Sequence, residues 1–323
     1  MRVAFPAPAY PPATTPPAPK KDSCAGVIGT SRTIVIDPHT LPRIGHMQYK
    51  ASLPLNDHEV VLTFDDGPIH TYTPRVLGTL AANCVKATFF LVGSMAQAYP
   101  RLVRRIYNEG HSIGTHSQDH PLTFNRMTEP AVAHEVDAGI ASVQAAVGDP
   151  RAVAPFFRVP GLLRSKTVDA FLAEHALAVW SADEVADDWH HGITARQIVR
   201  LAMKRIAADD HRGILLLHDI HPATAEALPV LLAELKKHGY HIVHVIPPGE
   251  QPKSVPPLPP TVVARAEPHA IKAKHHWHRL RHGRLALHRH HRLRSRVQSL
   301  SARSHKRHRL HAAVRDTTPA SEW

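Results

Sequence analysis

Two adjacent carboxylates at the end of a hydrophobic run have the clearest chemical meaning in this sequence. Asp65 and Asp66 follow the β-type run of residues 60–64, and a Gly-Pro pair comes next. Successive side chains of a strand point to opposite faces, so both carboxylates can share one site only where the Gly-Pro turn ends regular pairing. Like charges this close need a proton or a cation between them. The pair predicts a metal site or an acid/base pair, with an exposed turn as the alternative.

Two histidines further along the chain offer ligands for such a cation. His116 and His120 are four residues apart, a spacing that suits two imidazoles on one metal if the segment forms a helical turn. With one carboxylate they would make a three-ligand set that suits zinc, cobalt or nickel and leaves positions for water and substrate. The spacing alone is weak evidence, because the chain has 28 histidines and His278 and His282 repeat it.

Five motifs in a fixed order carry a resemblance to one protein family. They are TFDDGP at 63–68, His116 to His120 followed by proline, FRVPG at 157–161, the run from Asp183 to Trp189, and LLHD at 216–219. From about residue 58 to 247 the chain therefore resembles the polysaccharide deacetylases, also called the NodB-homology, chitin deacetylase-like or carbohydrate esterase 4 family. The resemblance implies a metal-dependent hydrolase that removes N-acetyl groups from glycans containing N-acetylglucosamine, such as chitooligosaccharide or peptidoglycan.

The resemblance also implies a role for the residues at the centre of these motifs. Asp66, His116 and His120 would hold one divalent metal ion, which would be zinc, with cobalt or nickel as alternatives. Asp65 would be the base that takes a proton from the attacking water. His218 would be the acid that protonates the leaving amine, as histidine is suited to do near neutral pH.

Other motif residues would support these two groups and contact the substrate. Arg158 would pair with Asp65 and keep it ionised, because a guanidinium matches carboxylate geometry. Asp188 would orient the imidazole of the acid, with Asp183 and Asp187 as competitors for that role. The residues expected to contact the substrate are Pro160, Gly161, Trp189 and Leu216.

One departure from the family pattern affects this substrate site. Trp189 and Leu216 would form an apolar wall against the acetyl methyl group, and the backbone N–H of Gly161 would stabilise the oxyanion together with the metal. The family usually continues its arginine motif with Pro-Tyr, whereas this chain has Pro160 and Gly161 there. The backbone donor is retained, but the aromatic ring that would pack on a sugar is missing.

The elements that must position these residues alternate between strands and helices. Runs typical of strands occur at 60–64, 87–92, 112–115, 153–157, 177–181, 213–218 and 241–246, and amphipathic stretches at 73–82, 97–109, 129–147, 165–175, 194–208 and 224–238. This alternation predicts a parallel α/β fold, with catalytic residues at the C-terminal ends of strands as in (β/α) barrels. The resemblance implies a distorted (β/α)7-type barrel of the NodB-homology kind.

Composition divides the 323 residues into four parts. Residues 1–23 are proline-rich and predicted to be disordered, and residues 24–57 are predicted to be an ordered extension packed on the barrel. The resemblance implies that residues 58–250 are the NodB-homology domain. Residues 251–323 are a basic tail with 16 Lys+Arg, 3 Asp+Glu and 11 His. The tail is predicted to be disordered, with a basic helix formed on a partner as the alternative. Its charge would attract anionic polymers, nucleic acid or a membrane surface.

The cysteines and the apolar runs bear on location. Cys24 and Cys84 permit one disulfide or none, and the sequence does not choose between these. No apolar run reaches 18 residues, so no transmembrane segment is expected. The first residues lack the apolar core of a signal peptide. The substrate class implies the periplasm or the cell envelope, with a cytoplasmic location as the alternative.

Three functions compete for this sequence. Hydrolysis of N-acetyl groups is the favoured function. The first alternative is hydrolysis of O-acetyl esters or small non-peptide amides on the same fold. The second alternative is an inactive scaffold whose basic tail binds a polyanion. An enzyme is favoured, because a binding module has no use for the complete set of Asp65, Asp66, His116, His120, Arg158 and His218.

Overall fold

The protein, described here as a computed structural model over residues 24–249, alternates strands with helices. The strands are β1 (Thr30–Val35), β2 (Arg43–Ile44), β3 (Glu59–Asp65), β4 (Thr88–Leu91), β5 (Ser112–Thr115), β6 (Val153–Arg158), β7 (Ala178–Trp180), β8 (Glu184–Val185), β9 (Gly213–His218) and β10 (His241–Ile246). The α-helices are α1 (Thr73–Ala82), α2 (Gly93–Ala98), α3 (Pro100–Asn108), α4 (Glu129–Val147), α5 (Lys166–Glu174), α6 (Ala195–Ala208) and α7 (Pro222–Lys237). The predictions of disorder for residues 1–23 and 251–323 lie outside the described range.

The strands form one parallel sheet, which confirms the predicted α/β class. Its order is β1-β10-β3-β4-β5-β6-β7-β2, and β3 also pairs with β9, which pairs with β8. The register of β3 and β9 sets Asp65 opposite His218 at the C-terminal ends of both strands. Over residues 24–249 no pairing joins β7 to β8, and β7 pairs with β6 and β2 instead. The sheet is therefore distorted at the point where a regular barrel would close.

Strand β3 has one side that packs against the helices and one side that faces the barrel interior, where the candidate site lies. Its residues are all buried, and Val60 and Phe64 pack against the surrounding helices. Val61 instead joins the cluster inside the barrel. Because side chains alternate along a strand, Thr63 and Asp65 share this inward side. The carboxylate of Asp65 therefore enters the barrel interior at its C-terminal end.

The segment of residues 24–57 is part of the barrel's packing. Strand β1 pairs with β10, and β2 pairs with β7, so the segment adds a strand at two places in the sheet. Its apolar side chains join the interior cluster that contains Val61, Phe90 and Trp180. These contributed side chains are Ile34, Ile36, Ile44, Leu53 and Leu55. Each buried side chain of this kind contributes about 1.5–3 kcal/mol of hydrophobic stabilisation.

The helices follow the predicted stretches except near Pro100. The stretch 97–109 is predicted as one helix, but the structure has α2 and α3, which meet at Tyr99. Pro100 has no N–H to continue the first helix and a φ angle suited to begin the second. Helix α4 ends at Gly148, where φ is 86°, a backbone that favours glycine. No helix within residues 24–249 has both the length and the apolarity to cross a membrane.

A disulfide joins Cys24 to Cys84, which answers the question left open by the sequence. The bridge ties the N-terminal segment to the loop between α1 and β4, across a sequence separation of 60 residues. A crosslink over such a loop lowers the entropy of the unfolded chain, which stabilises the folded state by about 4 kcal/mol in the chain-entropy model.

We expect reduction of this disulfide to lower the free energy of unfolding by up to about 4 kcal/mol. Chemical unfolding followed with and without reductant measures the change. The double variant Cys24→Ser/Cys84→Ser is the control, because reductant should leave its unfolding midpoint unchanged. Equal midpoints for the oxidised and reduced wild-type chain would show that the bridge contributes nothing to stability.

Candidate active site

The two carboxylates at the end of β3 reach the same space through the backbone of Asp66. Asp65 still belongs to β3 and is buried. Asp66 has φ 75°, in the left-handed region, so the chain turns at this residue, one position before the Gly-Pro pair. Oδ2 of Asp65 and Oδ1 of Asp66 lie 3.9 and 3.4 Å from Nε2 of His116. The turn therefore places both carboxylates beside one imidazole.

The two histidines meet in a loop, and the helical turn on which their spacing argument depended is absent from residues 116–120. Ser117 and His120 have φ 65° and 53°, so the loop bends twice through left-handed conformations. The centroids of the His116 and His120 rings are 4.9 Å apart. Nδ1 of His116 lies 2.6 Å from the carbonyl oxygen of Arg158, which leaves Nε2 to face the carboxylates.

The geometry of Asp66, His116 and His120 fits a divalent cation. Their ligand atoms all lie within 4.8 Å of one another, and Oδ1 of Asp66 is 3.2 Å from Nε2 of His120. Ligands bound tetrahedrally at about 2.0–2.1 Å are about 3.3 Å apart. Oδ1 of Asp66 is also buried without a hydrogen-bond partner. A buried carboxylate oxygen that faces two imidazole nitrogens has the environment of a metal ligand.

Arg158 holds Asp65 from inside the barrel. Its guanidinium is fully buried and lies 4.3 Å from the centre of the Phe90 ring. Nη1 donates to Oδ1 of Asp65 at 2.7 Å and to Oγ1 of Thr63 at 2.8 Å, while Nη2 donates to the carbonyl oxygen of Ser181 at 2.8 Å. The ion pair occupies one oxygen of Asp65. The other oxygen remains directed at the histidines.

His218 is held by Asp188 through two contacts. Nδ1 of His218 lies 2.7 Å from Oδ1 of Asp188, and the backbone N–H of His218 donates to Oδ2 at 2.7 Å. Thr224 also donates to Oδ2, at 2.6 Å. Burial acts to lower the pKa of His218, but the charge of Asp188 and its hydrogen bond outweigh burial and raise the pKa to about 9. The ring is therefore protonated at neutral pH, and its Nε2 is the nitrogen not bound by Asp188.

The two carboxylates that competed with Asp188 lie elsewhere. Asp187 forms an ion pair with Arg205 at 2.7 Å. Asp183 accepts hydrogen bonds from the backbone of His46 at 2.7 Å and of Ile214 at 2.9 Å. It also accepts one from Oγ of Ser52 at 2.7 Å. Asp183 thus fastens residues 46–52 to the start of β9.

The four residues expected to contact substrate have unequal exposure. Trp189 is 44% exposed, and its ring stands edge-on to His218 with 5.6 Å between centroids, whereas Leu216 is buried. Pro160 and Gly161 lie in a short 3-10 turn directly after β6, and Gly161 has φ 57°. A Cβ on Gly161 would lie 3.2 Å from Leu122, an apolar side chain that is 66% exposed. Leu122 thus borders the position where the family has an aromatic ring, and no motif had pointed to it.

Asp219 lies next to the candidate site as well, although the sequence motifs predict no role for it. Its carboxylate is buried and accepts a hydrogen bond from Thr73, whose Oγ1 in turn accepts one from the N–H of Ile69 at 2.8 Å. A Cβ on Gly67 would lie 2.4 Å from either carboxylate oxygen. Burial raises the pKa of Asp219 to about 7. The fifth motif therefore also anchors the loop that follows Asp66.

The fold and the site define a class: a parallel α/β barrel with a candidate three-ligand metal centre at the C-terminal ends of its strands. The family model described as polysaccharide deacetylase matches residues 53–180. A peptidoglycan-N-acetylglucosamine deacetylase of Bacillus cereus is 35% identical over 199 residues, which are 60% of this chain and 89% of that protein. The chain belongs to the polysaccharide deacetylase family, as the motifs predicted.

Two further similarities show how far the relationship extends. The peptidoglycan-N-acetylglucosamine deacetylase PgdA of Listeria monocytogenes is 37% identical over 190 residues, which are 58% of this chain. The same alignment spans only 38% of the Listeria protein. The structure of a peptidoglycan deacetylase of Bdellovibrio bacteriovorus matches with a TM-score of 0.61 at 30% identity, covering 69% of this chain and 60% of that one. This likeness confirms the predicted distorted barrel of the NodB-homology kind.

Proposed function

We propose that this protein hydrolyses the N-acetyl group of N-acetylglucosamine units in a glycan. The single observation that carries the proposal is the arrangement around Asp66. An arginine-paired carboxylate, Asp65, and a carboxylate-paired imidazole, His218, end adjacent strands, and their Cα atoms are register partners. A base and an acid on either side of an electrophilic centre are the groups that amide hydrolysis needs.

The metal ligands in this proposal are Asp66, His116 and His120. Membership of the family implies a divalent ion, and we propose zinc, with cobalt or nickel as alternatives, because the donors are one carboxylate and two imidazoles. When bound, the ion supplies Lewis acidity, which lowers the pKa of water toward about 7 and polarises the amide carbonyl. The protein's contribution is to hold the three donors together, with the side chains of Asp66 and His120 partly exposed to solvent.

Asp65 is the proposed general base. Its Oδ1 forms a 2.7 Å ion pair with Nη1 of Arg158. The pair fixes the direction of the side chain, so that Oδ2 faces the metal site while Oδ1 is occupied. Asp65 would take one proton from the attacking water as the new carbon–oxygen bond forms.

His218 is the proposed general acid. Its charged form is present at neutral pH, and Asp188 holds the Nδ1 side of the ring. The proton on Nε2 is then available to the amine nitrogen as its bond to the carbonyl carbon breaks. Without that proton the leaving group would be an amide anion, which is a far poorer leaving group.

The acetyl group would lie between the acid and the turn after β6. Trp189 and Leu216 are the proposed apolar wall for its methyl group. Gly161 would direct a backbone N–H at the carbonyl oxygen, and Pro160 would border the sugar. Since the ring of the family's tyrosine is replaced by Gly161, the sugar has one stacking surface fewer. Because this aromatic ring is missing, O-acetyl esters and small non-peptide amides remain the second candidate substrates.

The names of the relatives favour a peptidoglycan-type substrate. Chitooligosaccharide is the next choice, because a chitooligosaccharide deacetylase of Bradyrhizobium is 35% identical over 206 residues. The disulfide between Cys24 and Cys84 supports a location outside the reducing cytoplasm, because disulfides persist in oxidising compartments. Contacts between the basic tail, residues 251–323, and anionic polymers, nucleic acid or a membrane surface stay a prediction.

Acetate release tests the proposed reaction. We expect the protein to release acetate from chitin oligomers or peptidoglycan, to lose that activity after treatment with a chelator, and to regain it when zinc is added. Acetylated xylan serves as the O-acetyl comparison, and ammonia or acid release from small amides tests the other alternative. Activity that is unchanged by complete metal removal would contradict the metal-dependent mechanism. No activity on any acetylated glycan would favour the inactive scaffold.

A further inference from the structure

One face of helix α4 lies directly against the loop between the two proposed histidine ligands. Glu135, Gly139 and Ser142 are spaced by four and three residues, so they share a side of the helix. All three are buried positions of α4. They contact the loop at Ser117 and Gln118, between the two histidines.

Glu135 binds the backbone of the loop itself. Its Oε2 accepts hydrogen bonds from the N–H of Gln118 at 3.1 Å and from the N–H of Asp119 at 3.0 Å. These two residues lie between His116 and His120 in the chain. The two hydrogen bonds share a single acceptor oxygen. The position of that oxygen therefore fixes the path of the loop between the histidines.

Gly139 allows the loop to lie this close to the helix. A Cβ at this position would be 2.6 Å from the carbonyl carbon of Ser117 and 3.0 Å from the nitrogen of Gln118. Ser142 then donates from Oγ to Oε1 of Gln118 at 2.8 Å. The loop is thus held by its backbone at Glu135 and by a side chain at Ser142.

Helix α2 also holds this loop, through backbone hydrogen bonds. The N–H groups of Gly93 and Ser94 donate to the carbonyl oxygens of Ser117 and Gln118, both at 2.9 Å. These bonds fix the first half of the loop. The second half, at Asp119, is held through the N–H bond to Glu135.

We propose that Glu135 is a positioning residue for the metal centre. By holding the N–H groups of Gln118 and Asp119, its carboxylate sets the separation at which the imidazoles of His116 and His120 meet Asp66. The inference rests on the proposed function to the extent that these residues are the ligands. It assigns Glu135 no contact with the ion or the substrate.

Two substitutions at Glu135 distinguish the effect of side-chain length from the effect of the carboxylate charge. Glu135→Gln removes the charge but keeps an acceptor oxygen at the same distance from the helix. Glu135→Asp keeps the charge but withdraws the carboxylate by one methylene, so that it cannot reach both N–H groups. We expect Glu135→Asp to raise the zinc dissociation constant about 10–100-fold, the usual effect of losing a partner that orients a ligand. Glu135→Gln should stay within a few-fold of wild type.

Zinc affinity is measured by competition with a chromophoric chelator, which does not depend on turnover. Asp137→Ala is the matched control, because Asp137 lies on the exposed side of the same helix, and its affinity should equal that of wild type. Wild-type affinity in Glu135→Asp would overturn the proposal. So would the reverse order, with Glu135→Gln weak and Glu135→Asp normal, since that result would mean that charge alone matters.

Amide hydrogen exchange keeps this proposal separable from the proposed function. In the metal-free wild-type protein the amides of Gln118 and Asp119 should be protected, and Glu135→Asp should make both exchange faster while amides of the β3 core keep their protection. Faster exchange together with no zinc binding in wild type would contradict the proposed function and leave the positioning role supported. Unchanged exchange at both amides would refute the role of Glu135.

Discussion

Replacing Asp65 with asparagine should lower kcat by about 10²–10⁴-fold while the protein still binds zinc. The amide cannot take a proton from water, and loss of a general base has an effect of this size. Zinc should remain, because Asp66, His116 and His120 are the proposed ligands and Asp65 is not among them. Acetate release gives the rate, and metal analysis of the purified variant gives the occupancy.

The same variant changes an ion pair, so its stability needs a matched comparison. The substitution Asp65→Asn would leave the buried guanidinium of Arg158 without its charged partner, which costs a few kcal/mol when the pair is buried. Asp187→Asn is the control, since Asp187 also pairs with an arginine, Arg205, but lies outside the site. The activity of this control should be unchanged. Near-normal turnover of Asp65→Asn would transfer the role of base to another group.

Replacing His218 with glutamine should also reduce kcat by about 10²–10⁴-fold, because the leaving amine loses its proton donor. The pH dependence identifies the role. The folded-state pKa of His218 is raised from an ordinary 6.5 to about 9, so the donor form is present at neutral pH and is lost as the pH rises through that value. A bound cation would shift this limb to lower pH by repelling the imidazolium. The wild type should therefore show an alkaline fall in kcat between about 6.5 and 9, and the variant should lack it.

The free energy of unfolding of the metal-free protein should depend on pH in the same way. A raised pKa means that the charged imidazole is stabilised by folding, here through Asp188. Its contribution is fully present below pH 6.5 and is lost as the pH rises through about 9. Chemical unfolding of wild type and His218→Gln across this range measures the difference. If the variant lost stability but kept its turnover and its alkaline limb, His218 would be structural.

The sequence alone predicted the parts of the fold that depend on local periodicity. The strands that carry Asp65 and His218 are apolar runs that end at a polar residue, and both were placed within a residue or two. Strands β2 and β8 have two residues each, which is too short for any periodicity to register. The sequence predicts that residues 24–57 pack on the barrel, but not that β1 and β2 join its sheet, because alternation along a strand does not reveal what its apolar face will meet.

The sequence names the candidate metal ligands, but it does not predict the backbone that brings them together. The spacing of His116 and His120 suggested a helical turn, and the structure has a loop instead. The loop path depends on Glu135, which is 16 residues away from Asp119 on another element and has no sequence signature that connects it to the histidines. Contacts between elements decide such a conformation, and local patterns do not record them.

The left-handed backbone conformations of Asp66, Ser117 and His120 affect how substitutions elsewhere in the protein would change metal affinity. A non-glycine residue in this region costs on the order of 1–3 kcal/mol, and such conformations persist only where the surroundings hold them in place. Here hydrogen bonds within the protein hold these backbone conformations, so folding alone would preorganise the site for the cation. Preorganisation makes capture less costly in entropy, but it ties the affinity for the ion to the rigidity of the whole barrel. A substitution that loosens the packing against these loops would therefore lower the affinity for the cation while the barrel remained folded.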